Sequence, residues 1–113
     1  MKYEILKISK IVEEIMDFFF SHLTKKVNIS IEETEDVFII EIQSDNIVCN
    51  ENKIAKFNEL LNVQRQREME EYYWQLAGND LEGEEYNLVG MMVDEAYVEF
   101  NNPALKVRLV RYK

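Results

Sequence analysis

Residues 27 to 43 read VNISIEETEDVFIIEIQ, and the folding of this stretch decides the architecture. Val27, Ile29 and Ile31 alternate with polar residues, which is the period of a half-buried strand. The polar run ETED interrupts the pattern. VFIIEIQ, residues 37–43, then carries β-branched side chains on both faces, as a central strand does. The two segments predict an antiparallel hairpin.

Upstream, KYEIL suggests a short edge strand, because Tyr3 and Ile5 alternate with polar neighbours. Ser9 follows as a candidate N-cap. Ile8, Ile11, Val12, Ile15, Phe18, Phe19 and His22 recur at helical spacing, predicting a helix over 9–25 with Lys25 and Lys26 in its last turn. Downstream, residues 51–77 predict a helix. Ile54, Phe57, Leu60 and Leu61 form one apolar stripe, QRQRE interrupts it, and Met69, Tyr72, Tyr73 and Leu76 begin a second. Gly78-Asn79-Asp80 ends that region. A further helix is expected over 84–94, with Leu88, Val89, Met92 and Val93 buried. The strands AYVEF and ALKVRLVRY close the chain around the turn Asn101-Asn102-Pro103. The expected order is α-β-β-α-α-β-β, an α+β two-layer α/β sandwich with helices on one face of a mainly antiparallel sheet.

The 113 residues suit a single domain, and 47% hydrophobic content supplies a core. Twenty-two acidic residues against 13 basic give a net charge of -9, which disfavours nucleic acid and anionic membranes as partners. The first ten residues lack a signal-peptide apolar run, and no segment approaches a membrane span. With Cys49 as the one cysteine, no internal disulfide can form, and a cytoplasmic location is expected. One His and one Cys do not make a zinc site of the Cys/His type.

Residues 14–22, EIMDFFFSH, set three phenylalanines between Glu14 and His22. Consecutive helical side chains point in widely different directions, so the three rings cannot share one narrow face. Three other stretches stand out: IEIQSDNIV with Asp45 and Asn46, GEEYNLVGMMVDEAYVEF with Gly83, and the closing ALKVRLVRYK. In their order and approximate spacing these four resemble the histidine-kinase-like ATPase (GHKL) superfamily, closest to its stand-alone anti-sigma-factor serine kinases.

That resemblance implies the histidine-kinase-like ATPase fold and gives the residues roles. Glu14 takes the place of a catalytic base, and Asp45 with Asn46 the place that recognises adenine. Gly83 matches the first glycine of the phosphate loop. The sequence departs from the family where chemistry is concentrated. Phe18 occupies the position of the magnesium-binding Asn. Ile47, Cys49 and Glu85 replace glycines. A ring has no oxygen for a hard cation, and Glu84 and Glu85 repel a triphosphate.

The bland alternatives are specific. Glu14 would face solvent beside Glu13. His22 would hydrogen-bond a backbone group at a helix end, Asp45 would cap a turn, and Cys49 would be a small buried hydrophobe. QRQREMEEYYWQLAGND holds the place of the family's ATP lid but has no glycine before Gly78. Its Met69, Tyr72, Tyr73 and Trp74 are either extra core or a patch for a protein partner or self-association. The sequence therefore implies a non-catalytic or weakly nucleotide-binding regulatory adaptor with no cofactor and no metal. Its partner would be a protein of the sigma-factor or signalling kind, or a second copy. The alternative is an ATP- and magnesium-binding serine kinase or switch with unusual site residues.

Overall fold

The computed structural model describes residues 3–74 and 85–113. Among them the order is α1 (Glu4–Ser21), β1 (Asn28–Glu33), β2 (Val37–Ser44), α2 (Glu51–Leu61), α3 (Arg67–Tyr73), α4 (Glu85–Gly90), β3 (Glu95–Asn101) and β4 (Ala104–Tyr112). The four strands form one antiparallel sheet in the order β1-β2-β4-β3. The α+β class, the β1–β2 hairpin, the central place of β2 and the closing hairpin follow the sequence expectation.

Side-chain alternation fixes which face the helices cover. Phe38, Ile40 and Ile42 of β2 and Leu105, Val107 and Leu109 of β4 are buried on one face. Ile8, Ile11, Ile15 and Phe19 of α1 and Ile54, Phe57 and Leu61 of α2 complete the core above them. α1 lies over β2, and α2 over β3. The close packing of α4 on α2 requires a residue without a side chain. A Cβ at Gly90 would stand 2.4 Å from the Leu60 carbonyl oxygen and 2.8 Å from Val63.

Several boundaries differ from the expectation. KYEIL is not a strand: α1 starts at Glu4, and the Lys7 N–H already donates to the Tyr3 carbonyl. Ser9 is inside the helix, its hydroxyl donating to the Ile5 carbonyl, so it is no N-cap. The helix stops at Ser21, leaving Lys25 and Lys26 beyond it. Leu23 takes the left-handed conformation (φ 64°) that glycine usually supplies after a helix.

Strand β1 is exposed along its whole length rather than half-buried, because it lies at the sheet edge beyond the helix layer. The single helix expected over 51–77 is broken. Its chain leaves helical form after Leu61, where Arg65 donates to Asp94 and to the Tyr112 carbonyl, and the Gln66 N–H donates to the Met91 carbonyl. These long-range bonds draw residues 62–66 out of the ladder and make three helices where two were expected. The helix expected over 84–94 ends at Gly90, although Met92 and Val93 are buried as anticipated. Residues 75–84, including Leu76, the Gly78-Asn79-Asp80 terminator and Gly83, lie outside the described residues.

Candidate functional site

The end of the sheet where β2 finishes holds most of the residues singled out by the resemblance. The turn after β2 is made by Ser44, whose hydroxyl accepts from the Asn46 N–H and donates to the Asn46 carbonyl. The capping role expected of Asp45 therefore belongs to its buried neighbour, and Asp45 itself is exposed. The loop that follows is tied on two sides. The Ile47 N–H donates to the Pro103 carbonyl, and the Val48 N–H donates to the His22 carbonyl. Thr24 adds a hydroxyl bond to the Asn46 carbonyl.

Two clefts flank this loop. One, of about 410 Å³, is lined by Lys25, Lys26, Asp45, Asn46 and their neighbours. The other, of about 640 Å³, is lined by His22, Asn46, Cys49, Lys53 and the β3–β4 turn. His22 Nδ1 lies 2.7 Å from the Phe18 carbonyl oxygen, the backbone contact expected of a helix-end His. Cys49 is half-buried against the core, and burial pushes its thiol up, away from the reactive thiolate.

Glu14 does not join this end. Eight residues of helix separate it from His22, about 12 Å along the axis. Nor does it face solvent: it is buried on the flank of α1 that carries Lys7 and Phe18. Of the three rings, Phe19 is fully buried, Phe18 is 5% exposed and Phe20 is 52% exposed. The Phe18 ring stacks on Phe57 of α2, with centroids 3.8 Å apart and planes inclined by 14°. Ile47, where the resemblance expects a glycine, is also buried. Where the resemblance expects an amide oxygen for magnesium, position 18 holds a packed ring. Among the described residues no group of three His, Cys, Asp or Glu could hold a metal ion.

The aromatic segment divides. Trp74 belongs to the core, stacked on Tyr3 with centroids 5.6 Å apart, so it takes the extra-core alternative. Met69 and Tyr72 are exposed, Tyr72 by 82%. The Tyr73 side chain lies outside the described residues.

A cluster that the sequence reading missed lies at the opposite end of α1. Arg111 of β4 is 1% exposed and grips two carboxylates. Its Nε and Nη2 donate to Glu4 at 2.7 and 3.2 Å, and its Nη1 and Nη2 donate to Glu70 at 2.9 and 2.7 Å. Nη1 also donates to the Met92 carbonyl. Lys7 donates to Glu70 at 2.8 Å and to Glu71. Arg65 joins Glu70 to Asp94. The only local signal was phase: Arg111 alternates with the buried Leu105, Val107 and Leu109, so its side chain must face the helices.

This cluster locks α3 onto α1 and β4. Burial alone would raise the Glu70 carboxyl, but hydrogen bonds from Arg111 and Lys7 outweigh it and hold the group down to about 2. Arg111 itself is disfavoured by burial and is more than compensated by Glu70 and Glu4. The folded value of Glu70 lies below the ordinary 4.5, so its ionised form contributes stability that is complete above that value and lost as pH falls towards 2. Thermal melts in acid should therefore show the midpoint falling between about pH 5 and pH 2. Glu70→Gln should flatten that fall, and an equally steep fall in the variant would assign it to other carboxylates.

No known family model matches the chain, and no curated protein or solved structure matches it. The histidine-kinase-like resemblance rests on the motifs quoted above. No helix among the described residues is long and apolar enough to cross a membrane.

Proposed function

We propose that this chain is a regulatory adaptor of histidine-kinase-like ATPase type that acts through protein contacts, without catalysis and with weak nucleotide binding at most. The observation that carries the reading is the Phe18–Phe57 stack. It fills with carbon the place where the family holds an ion-binding amide. Two further features agree with it. Ile47 is buried where a glycine would let the base approach. Helix α3 is pinned by Glu70 rather than hinged on glycines. The partner is a protein of signalling or sigma-factor kind, and Met69 and Tyr72 of α3 offer it exposed apolar surface.

An ATP-binding serine kinase or switch is the second reading. It draws on the exposed Asp45 and Asn46, which border a cleft with the two ammonium groups of Lys25 and Lys26.

Melting curves with and without excess Mg-ATP separate the two. A ligand at 100 times its dissociation constant adds about 2.7 kcal/mol, or roughly 10 °C for a domain of this size. The adaptor reading expects no shift at millimolar Mg-ATP. A shift of that size, abolished by Asp45→Asn, would establish the kinase-like alternative.

A further inference from the structure

The sheet has two open edges, β1 and β3. Edge strands present backbone N–H and C=O groups to any strand that reaches them, and proteins usually blunt them. Strand β1 is not covered: all six of its residues are exposed. Its register places Ile29 opposite Ile42 and Ile31 opposite Ile40. Ile40 and Ile42 are fully buried beneath the helices, so Ile29 and Ile31 share the helix-side face, yet they remain 40% and 51% exposed.

The wall beside them is apolar too. The flank of α1 that carries Lys7 and Phe18 meets α3 and α2. Helical phase puts Ile5, Val12, Met16 and Phe20 on the opposite flank, towards β1. Ile5 and Phe20 are more than half exposed.

What would cover this groove is written in the sequence around β1. Residues 25–33 read KKVNISIEE. Laid antiparallel on a copy of itself about Ile29, the segment is self-complementary. Lys25 meets Glu33, Lys26 meets Glu32, Val27 meets Ile31, Asn28 meets Ser30, and Ile29 meets its own copy. Directly opposed residues are the pairs that stabilise or disrupt a sheet, and here each end brings two cations onto two carboxylates. Residues 25–27 precede β1, which begins at Asn28; extended in the pairing, Val27 continues the row of Ile29 and Ile31 on the helix side. The polar pairs Lys26–Glu32 and Asn28–Ser30 fall on the other face. Glu33 holds Lys113 of its own chain at 2.7 Å, but its side chain stays 58% exposed, so a second cation can join it. Strand β3 offers nothing comparable, since EAYVEFN has two glutamates and no basic residue.

We propose that a second copy of this chain docks on β1 by two-fold antiparallel pairing centred on Ile29, making one continuous eight-stranded sheet from two four-stranded ones. The two-fold axis stands perpendicular to the sheet. Both helix layers then lie on the same side, and the two α1 flanks face each other over the isoleucine row. The pairing uses none of the residues that the resemblance assigns to base, ion or phosphate, so it holds independently of the adaptor reading.

Sedimentation equilibrium of the full chain, from low micromolar to several hundred micromolar, reads the result. The wild type should be a reversible dimer. Lys25→Glu with Lys26→Glu sets like charges at both ends of the pairing, and so does Glu32→Lys with Glu33→Lys. Each double variant should raise the dissociation constant at least about tenfold, since opposed like charges are strongly disfavoured. Mixing the two variants in equal amounts restores opposite charges at both ends, and the mixture should form a heterodimer of near wild-type affinity. Because these positions are exposed, each variant should melt like the wild type at protein concentrations low enough to keep the wild type monomeric, which checks that folding is intact. A wild type that is monomeric throughout overturns the proposal and leaves the edge to a different protein. So do variants that dimerise unchanged, or a mixture that associates no better than its components.

Discussion

Glu70→Ala should destabilise the protein by about 3–5 kcal/mol, the cost of breaking a buried ion pair by removing one partner. The carboxylate is the hub of the cluster at the start of α1. It accepts from Arg111 through both oxygens, and also from Lys7 and Arg65. Arg111 and Lys7 are both nearly inaccessible, at 1% and 2%. Without Glu70, Arg111 keeps Glu4 and the Met92 carbonyl, and among the described residues Lys7 keeps the more exposed Glu71. Two charges would then remain buried with half their compensation gone. Urea denaturation measures the loss, and a companion Arg111→Met variant completes a double-mutant cycle. The double variant should be more stable than the sum of the single losses predicts, because it leaves fewer uncompensated charges. A Glu70→Ala loss below about 1 kcal/mol would mean that α3 is not docked as described, because exposed pairs are worth no more than that.

The contrast between this cluster and the sheet shows what a single sequence conveys. Strands β2, β3 and β4 were legible because their information is local. Runs rich in β-branched and apolar residues mark each, and the Asn-Asn-Pro turn separates the last pair. Strand β1 carried a clear period-two alternation and was still misjudged. Alternation reports which residues share a face, whereas burial depends on whether a helix reaches that far across the sheet. KYEIL failed for a different reason. Five residues fit a strand or a helix equally well, and the deciding contacts are distant: Glu4 reaches Arg111, and Lys7 reaches Glu70. Glu4, Lys7, Arg65, Glu70, Asp94 and Arg111 have no common spacing, so periodicity could not assemble them. The break at 62–66 is a consequence of the same cluster, since Arg65 belongs to it. At the other end of α1 the outcome was more favourable. Helical geometry kept the three rings from sharing one narrow face, and Phe19, Phe18 and Phe20 do grade from buried to exposed. The helix-end contact of His22 was also readable, because it is made within one turn.

Phe18→Asn, which sets the amide that the resemblance expects where this chain has a ring, should destabilise the fold by about 3–5 kcal/mol. Two losses add. The stack on Phe57 disappears, and with it a buried aromatic contact at 3.8 Å between centroids. In its place a polar amide enters a site lined by Phe19, Phe57 and the rest of the α1–α2 core, where burying it without partners is unfavourable. Phe20→Asn is the matched control. Phe20 is 52% exposed on the opposite flank of the same helix, so the same chemical change there should cost under about 1 kcal/mol in the monomer. Urea denaturation of the two variants at low protein concentration, with and without Mg-ATP, distinguishes a plugged site from an open one. On the adaptor reading, removing the ring costs stability and restores no binding, because Glu85 and the buried Ile47 stand where the resemblance expects glycines. Were Phe18→Asn instead to keep wild-type stability and gain protection from Mg-ATP, the ring would be a removable gate over a working cradle. The adaptor reading would then give way to the kinase-like one.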